Sequence, residues 1–254
     1  MNRVPPGPRP EEEGISLFLP AYNEEANVSF MISEASRLLD RLGVPWEVIV
    51  VDDGSTDSTA ELVRAASRAD PRIRLVEHGR NLGFGRAVRS GIEAAREAWV
   101  FYTDCDGQFD LEDLPSLWAL RGANDIVSGY RRNRRDPGLR LFYSLCYSIL
   151  AWLLFWGGFK DVDCSFKLYR RAIFGKVRPL STCGVVDLEI LLLARGLGMK
   201  VAQVPVAHRP RRAGSVSFET VRRGFFAWVR IGAIVEMADQ LWKLRIRTWR
   251  GDVG

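Results

Sequence analysis

The chain has 254 residues, 47% apolar and 26% charged, which suits one large globular domain or one domain with a small appendage. That balance excludes collagen-like, disordered and disulfide-scaffold classes. The four cysteines, Cys105, Cys146, Cys164 and Cys183, show no C-x-x-C spacing, so neither a zinc cluster nor a disulfide framework is indicated and a reducing, intracellular setting is expected. The net charge of +5 is split: residues 1–127 carry −9 and residues 128–254 carry +14. The first half suits metal or acid–base work, and the second an anionic partner such as phosphate, anionic lipid or nucleic acid.

Residues 1–13 hold four prolines and three successive glutamates without an apolar core, and read as a disordered leader, not a signal peptide. An apolar run over 15–19, ended by Pro20, predicts a first strand. Helical spacing follows over 25–42 and closes at Gly43. WEVIVV (46–51) reads as a buried parallel strand, turned by DGSTD (53–57) into a helix over 59–69 with Ser55 or Asp57 as cap. Residues 73–77 predict a third strand, 84–97 a third helix and 98–103 a fourth strand ending at Asp104. Such alternation predicts an α/β fold with a mostly parallel sheet, whose ligands bind beyond the carboxyl ends of its strands. Asp52, Asp53, Asp104 and Asp106 all fall there.

The second half is less regular. A strand over 125–129 leads into the basic loop 130–140. Residues 141–158 (LFYSLCYSILAWLLFWGG) then carry no charge across 18 positions. Three readings stay open for this stretch: a buried core helix, a helix lying at a membrane surface, or a span. The first domain is set at 14–219. The remainder, 220–254, reads as a basic helical tail in which Phe225, Trp228, Trp242 and Trp249 alternate with arginines and lysines, a pattern suited equally to an anionic membrane interface or to packing on the domain with a solvated basic face.

Asp104-Cys105-Asp106 places two carboxylates at i and i+2 after a buried strand, able to share one hard divalent cation such as Mg²⁺ or Mn²⁺, with Gln108 adding a neutral oxygen. Asp52-Asp53 offers acceptors for a base or ribose. NLGFGRA (81–87) is similar to a glycine-rich phosphate loop but is neither G-x-G-x-x-G nor a P-loop, which argues against an NAD site.

Taken in order, PAYNEE (20–25), VDDGSTD (51–57), NLGFGRA (81–87) and the D-x-D at 104–106 resemble an inverting family 2 glycosyltransferase of the GT-A fold. The resemblance runs on through SGYR (128–131), DVDCSFKLYRR (161–171), DLE (187–189) and VPVAHRPRRAG (204–214), and is similar to the polyprenyl-phosphate branch of dolichyl-phosphate mannose synthases and bacterial undecaprenyl-phosphate glycosyltransferases. It implies an α/β GT-A sheet with C-terminal amphipathic helices. It further implies metal-dependent, inverting transfer of a hexose, mannose or glucose, from a nucleoside diphosphate sugar to a polyprenyl phosphate. Pro20, Ala21, Tyr22, Glu24, Asp52, Asp53, Gly83 and Cys105 would line the nucleotide-sugar site. Asp104 would contact nucleotide and metal, and Asp106 and Gln108 would ligate the metal. Arg131 and Arg211 would lie beside donor and acceptor phosphates, with Arg140 and Arg212 as further contacts to the acceptor phosphate.

An ionised phosphate acceptor needs no general base, so Asp161, Asp163, Asp187 and Glu189 carry either a structural or a catalytic reading. His208 reads as structural or phosphate-orienting. The family's Ser-Lys pair after the final Arg and Gly is replaced by Ser215-Val216-Ser217, and no pair of membrane-spanning helices follows. The expected protein is peripheral on the cytoplasmic face of a membrane, with or without a membrane-protein partner, and does not bind nucleic acid. Two alternatives remain: a family 2 enzyme acting on a hydroxyl acceptor, for which Asp187 or Glu189 would be the base, and a non-catalytic basic binding module.

Overall fold

The computed structural model describes residues 13–132, 150, 153–155, 158–213 and 231–249. Seven strands, β1 (Ile15–Ala21), β2 (Trp46–Asp52), β3 (Ile73–Glu77), β4 (Trp99–Thr103), β5 (Ile126–Arg132), β6 (Phe166–Arg170) and β7 (Val201–Ala207), form one sheet in the order β3-β2-β1-β4-β6-β5-β7. Only β6 runs against its neighbours, and every other pair is parallel. Among the described residues the helices α1 (Val28–Leu42), α2 (Thr59–Ala69), α3 (Phe84–Ala94), α4 (Leu114–Ala119), α5 (Val185–Gly196) and α6 (Ile231–Trp249) accompany it.

The period of two in the strands sorts side chains between two cores. Ile15, Leu17 and Leu19 of β1 meet α1, α2 and α4 on one face, while Phe18 meets α3 and α5 on the other. α3 lies so close to β1 that a methyl group at Gly91 would come within 2.3 Å of the Phe18 ring. α5 is buried on nearly every side, Asp187 and Glu189 included, because it is covered twice. Val186 and Ile190 face the sheet, and Val185, Leu188 and Leu192 form a second cluster with Phe155 and with Leu241 and Leu244 of α6.

Several boundaries differ from the sequence expectation. β1 runs through Pro20 to Ala21. The Ala21 carbonyl accepts from Asp53 N toward β2, so Pro20 faces β4, whose pairing stops at Phe18, and its missing N–H costs nothing there. α1 starts at Val28 instead of 25, because Glu24 N and Glu25 N donate to Thr59 Oγ1 and Asp57 Oδ2 and hold the preceding turn against the next loop. α3 ends at Ala94, short of 97, because Ser16 and Glu47 beneath it accept from Arg96 N, and Ser16 also from Glu97 N. β5 continues through Arg132, into what reads as loop, by pairing with β7 as far as Ala207.

Of the two caps expected for α2, Asp57 accepts from Thr59 N at 3.0 Å, whereas Ser55 accepts from Asn23 N. Of the disordered leader expected over 1–13, residues 1–12 lie outside the described residues, as do most of 141–158 and residues 214–230, whereas Glu13 is buried and accepts from Trp99 Nε1 at 2.7 Å. Within 141–158, residues 150 and 153–155 are helical, with Phe155 buried against α5 and Leu153 exposed. Among the described residues, no helix is long and apolar enough to cross a membrane.

Candidate active site

Adjacent parallel strands β2, β1 and β4 bring three motifs to one edge. In register, Ala21 lies beside Asp52, and β4 delivers Asp104 and Asp106 just past its end. The loop after β1 is a tight one. Asn23 takes a left-handed conformation (φ 56°), which asparagine tolerates, donates its N–H to Ser55 Oγ and accepts from Thr56 N.

The two aspartates after β2 have separate employment. Both oxygens of Asp53 serve the chain itself, accepting from Leu82 N and Gly83 N at 2.9 Å and lying 2.7 Å from His78 Nδ1. Among the described residues the Asp52 carboxylate accepts from Ser55 N alone, at 3.3 Å, and its Oδ1 is buried with no partner. An unfilled buried acceptor is costly, so Asp52 is the one poised for an outside donor. Gly83 N is committed to Asp53, and the Cys105 side chain is packed in the core, which leaves only its backbone for a ligand.

Past β7 the chain turns back along the D-x-D loop. His208 bridges to Phe109, Arg209 N donates to Gln108 O, and Arg212 N donates to Asp106 O. This return lays Arg211 across the site. Its guanidinium donates to Glu24 and, at 3.3 Å, to Asp106 Oδ2, while its Nε donates to Ala213 O. Glu24, Asp106 and Arg211, far apart in sequence, thus form one buried cluster. Gln108 donates its amide to Arg209 O, leaving its oxygen as the end suited to a cation.

Charge in this cluster is crowded. Burial pushes the Asp104 carboxyl well above its ordinary range, and Asp106 and Asp187 add to the shift, against a hydrogen bond with Ser165. Burial also raises Glu24, which Asn27 and Arg211 partly offset. Among the described residues, no three His, Cys, Asp or Glu are placed to hold a metal unaided. Two carboxylates that repel each other, with a neutral oxygen beside them, do fit an Mg²⁺ or Mn²⁺ whose other ligands come from a diphosphate.

Arg131 stands apart from Arg211. At the end of β5 its guanidinium grips Asp161 through two bonds of 2.7 and 2.8 Å, lies 3.5 Å from Asp163, and is 4% exposed. Burial opposes its charge, but Asp161 and Asp163 outweigh this and hold its pKa above the ordinary value. Arg212 stacks on Phe30 at 3.8 Å beside a cavity of about 370 Å³ between α1 and the loop after the D-x-D. Arg140 lies outside the described residues.

The carboxylates considered as bases are engaged inside the protein. Glu189 accepts from Leu180 N and Ser181 N with one oxygen and from Arg247 with the other. Asp187 is buried, bonded to the Tyr102 hydroxyl and 2.9 Å from Lys167 Nζ; burial raises its pKa, and Lys167 partly offsets the shift. Its Oδ2 is buried without a hydrogen-bond partner among the described residues. Lys167, Tyr102 and the α6 contacts carried no role in the sequence reading, although a lysine within the apolar strand FKLYR is itself a signal of a buried charge pair.

With this geometry in hand, comparison with known proteins is direct. The pattern defining glycosyl transferase family 2 matches residues 16–178, and the chain belongs to that family. It is 32% identical over 219 residues to a dolichyl-phosphate beta-glucosyltransferase of Trichomonas vaginalis, covering 78% of this chain and 64% of that one. It is 31% identical over 211 residues to an undecaprenyl-phosphate 4-deoxy-4-formamido-L-arabinose transferase of Pseudomonas paraeruginosa, covering 82% of this chain and 61% of the relative. The chain therefore spans less than two thirds of the length of these curated relatives. Among solved structures, mannosyl-3-phosphoglycerate synthase from Rubrobacter xylanophilus superposes with a TM-score of 0.71 at 19% identity, covering 94% of this chain and 75% of that one. Glucosyl-3-phosphoglycerate synthase from Mycobacterium tuberculosis, in complex with Mn²⁺, UDP-glucose and phosphoglyceric acid, superposes at 0.68 and 20% identity, covering 92% and 79%. The seven-stranded, helix-flanked sheet is that of the GT-A glycosyltransferases.

Proposed function

We propose that the protein transfers a hexose from a nucleoside diphosphate sugar to a polyprenyl phosphate, with inversion. The observation that carries this reading is that both oxygens of Glu189 are taken up inside the protein and Asp187 is paired with buried Lys167: a hydroxyl acceptor needs one of them as a base, whereas a phosphate acceptor is already ionised. The relatives at about 30% identity are named for polyprenyl-phosphate acceptors, which agrees.

In this reading Pro20, Tyr22, Glu24 and Asp52 hold the nucleoside, with Asp52 Oδ1 accepting from a base N–H or a ribose hydroxyl. Asp104, Asp106 and Gln108 would hold Mg²⁺ or Mn²⁺. A bound cation supplies positive charge against the departing diphosphate. Arg211, fastened by Glu24 and Asp106, adds a fixed guanidinium on the same side. A phosphate oxygen of the acceptor attacks the anomeric carbon as the bond to the diphosphate oxygen breaks, and the electron pair leaves with the nucleoside diphosphate. Arg131, held rigid by Asp161, orients the incoming phosphate. The lipid chain is met at an anionic membrane surface by residues 141–158 and by the outer face of α6, where Val235, Trp242 and Trp249 are exposed.

The direct test offers labelled GDP-mannose, UDP-glucose and related donors with polyprenyl phosphate, Mn²⁺ or Mg²⁺ and an EDTA control. Metal-dependent label in the organic-extractable lipid is expected, and the donor that yields it is identified at once. Nucleotide release without labelled lipid across all donors would overturn the acceptor assignment in favour of a hydroxyl.

A further inference from the structure

The glycines of NLGFGRA are packed against protein on the side opposite Asp53. Gly85 N donates to Thr182 O at 2.9 Å, so a carbonyl from the loop before α5 caps the first turn of α3, where no side-chain cap is present. A methyl group at Gly85 would lie 2.3 Å from Ser181 O, and one at Gly83, where φ is +94°, would lie 2.6 Å from Thr182 O. Loop 178–183 therefore fixes where this glycine loop can sit.

Loop 178–183 is in turn held by α6. Thr182 N donates to Gln240 Oε1 at 3.0 Å, and Gln240 Nε2 donates back to Thr182 Oγ1 at 2.6 Å. Glu236 accepts from the Thr182 hydroxyl at 3.2 Å. In the last turn of α6, Arg247 donates to Glu189 at 2.6 Å and to Arg178 O at 3.1 Å, while Glu189 receives Leu180 N and Ser181 N. The chain of contacts is continuous from α6 through loop 178–183 to Gly85, and across the glycine loop to Asp53 beside Asp52.

We infer that α6 is a positioning element for the donor side of the site, with Gln240 as the residue that transmits its position to the glycine loop. This rests on the donor reading given above. α6 presents exposed Trp242 on the turn that carries Gln240, so the helix that faces outward with tryptophans also sets the donor loop.

The test uses the full chain and the shape-preserving variants Gln240→Leu and Gln240→Met, with Ala238→Ser, exposed on α6, as a control. Amide hydrogen exchange without ligand should quicken at residues 85–87 in both variants and stay unchanged over α2. The control should behave as the parent. In turnover, the KM for the nucleotide sugar should rise by about tenfold with kcat within about twofold, the signature of lost donor binding rather than lost chemistry. Unchanged exchange at 85–87, whether or not α6 stays docked, overturns the coupling. A parent chain that binds neither GDP nor UDP with Mn²⁺, while the variants still show faster exchange, overturns the donor reading alone and leaves the coupling standing.

Discussion

Lys167 sits fully buried in β6, its ammonium donating to the Cys164 carbonyl and paired with Asp187. Removing one member of a buried pair strands the other charge, so Lys167→Met should destabilise the protein by about 3–5 kcal/mol. The loss is read from the urea midpoint, and Lys167→Met combined with Asp187→Asn should recover part of it. Asp106 gives the complementary functional case. Its two oxygens serve Gln108 N and Arg211, and the cation would join them. Asp106→Ala should abolish sugar transfer at every Mn²⁺ concentration, and retained transfer in the same assay would remove the metal assignment. Glu47 reports on pH. Burial favours its neutral form, but hydrogen bonds from Ser16, Arg74 and the Arg96 backbone outweigh it and hold the carboxyl below its ordinary 4.5. The folded pKa is the lower one, so this contribution to stability is complete above 4.5 and is lost as pH falls through the folded value. Stability measured against pH should show that acid limb, and Glu47→Gln should flatten it.

At the scale of elements, α3 on β1 is the tightest joint. Gly91→Ala would drive a methyl into the Phe18 ring and should cost about 1–3 kcal/mol in chemical denaturation, although alanine is the better helix former. The βα alternation of the first half was legible in sequence because each buried strand reads as a plain apolar run and each helix shows one apolar stripe. The second half hid its elements for physical reasons. β6 carries a charged lysine, and β7 holds Pro205 in mid-strand, tolerated because β7 is an edge. α5 lacks a polar face because sheet and α6 cover both its sides. The D-x-D and the PAYNEE turn were legible as a candidate site, and the fold brings them to one edge of the sheet. The division of labour between Asp52 and Asp53 was not, since it depends on which backbone amides the glycine loop presents.

Across the whole molecule, the acidic motifs gather at the carboxyl edge of the sheet, while basic and aromatic residues populate α6, with Trp242 and Trp249 60% and 78% exposed. Replacing both tryptophans by serine should lower partition onto anionic liposomes severalfold in a sedimentation assay, without altering the melting midpoint, because neither packs in the core. Unchanged partition would return α6 to a purely internal role. The pairing of Arg131 with Asp161 bears on architecture as well as chemistry. Arg131 lies one residue from the end of β5 and Asp161 ahead of β6, so their clasp ties together two positions 30 apart in sequence. Closing a loop costs only slowly more as it lengthens, about 0.6 kcal/mol per doubling. A change of length in this interval should therefore leave the sheet in place so long as the clasp and the contacts of Phe155 with α5 and α6 are kept. If the proposed function holds, a chimera that exchanges the interval between Arg132 and Asp161 for a relative's should keep its nucleotide-sugar donor, and donor binding in such a chimera is the measurement that checks it.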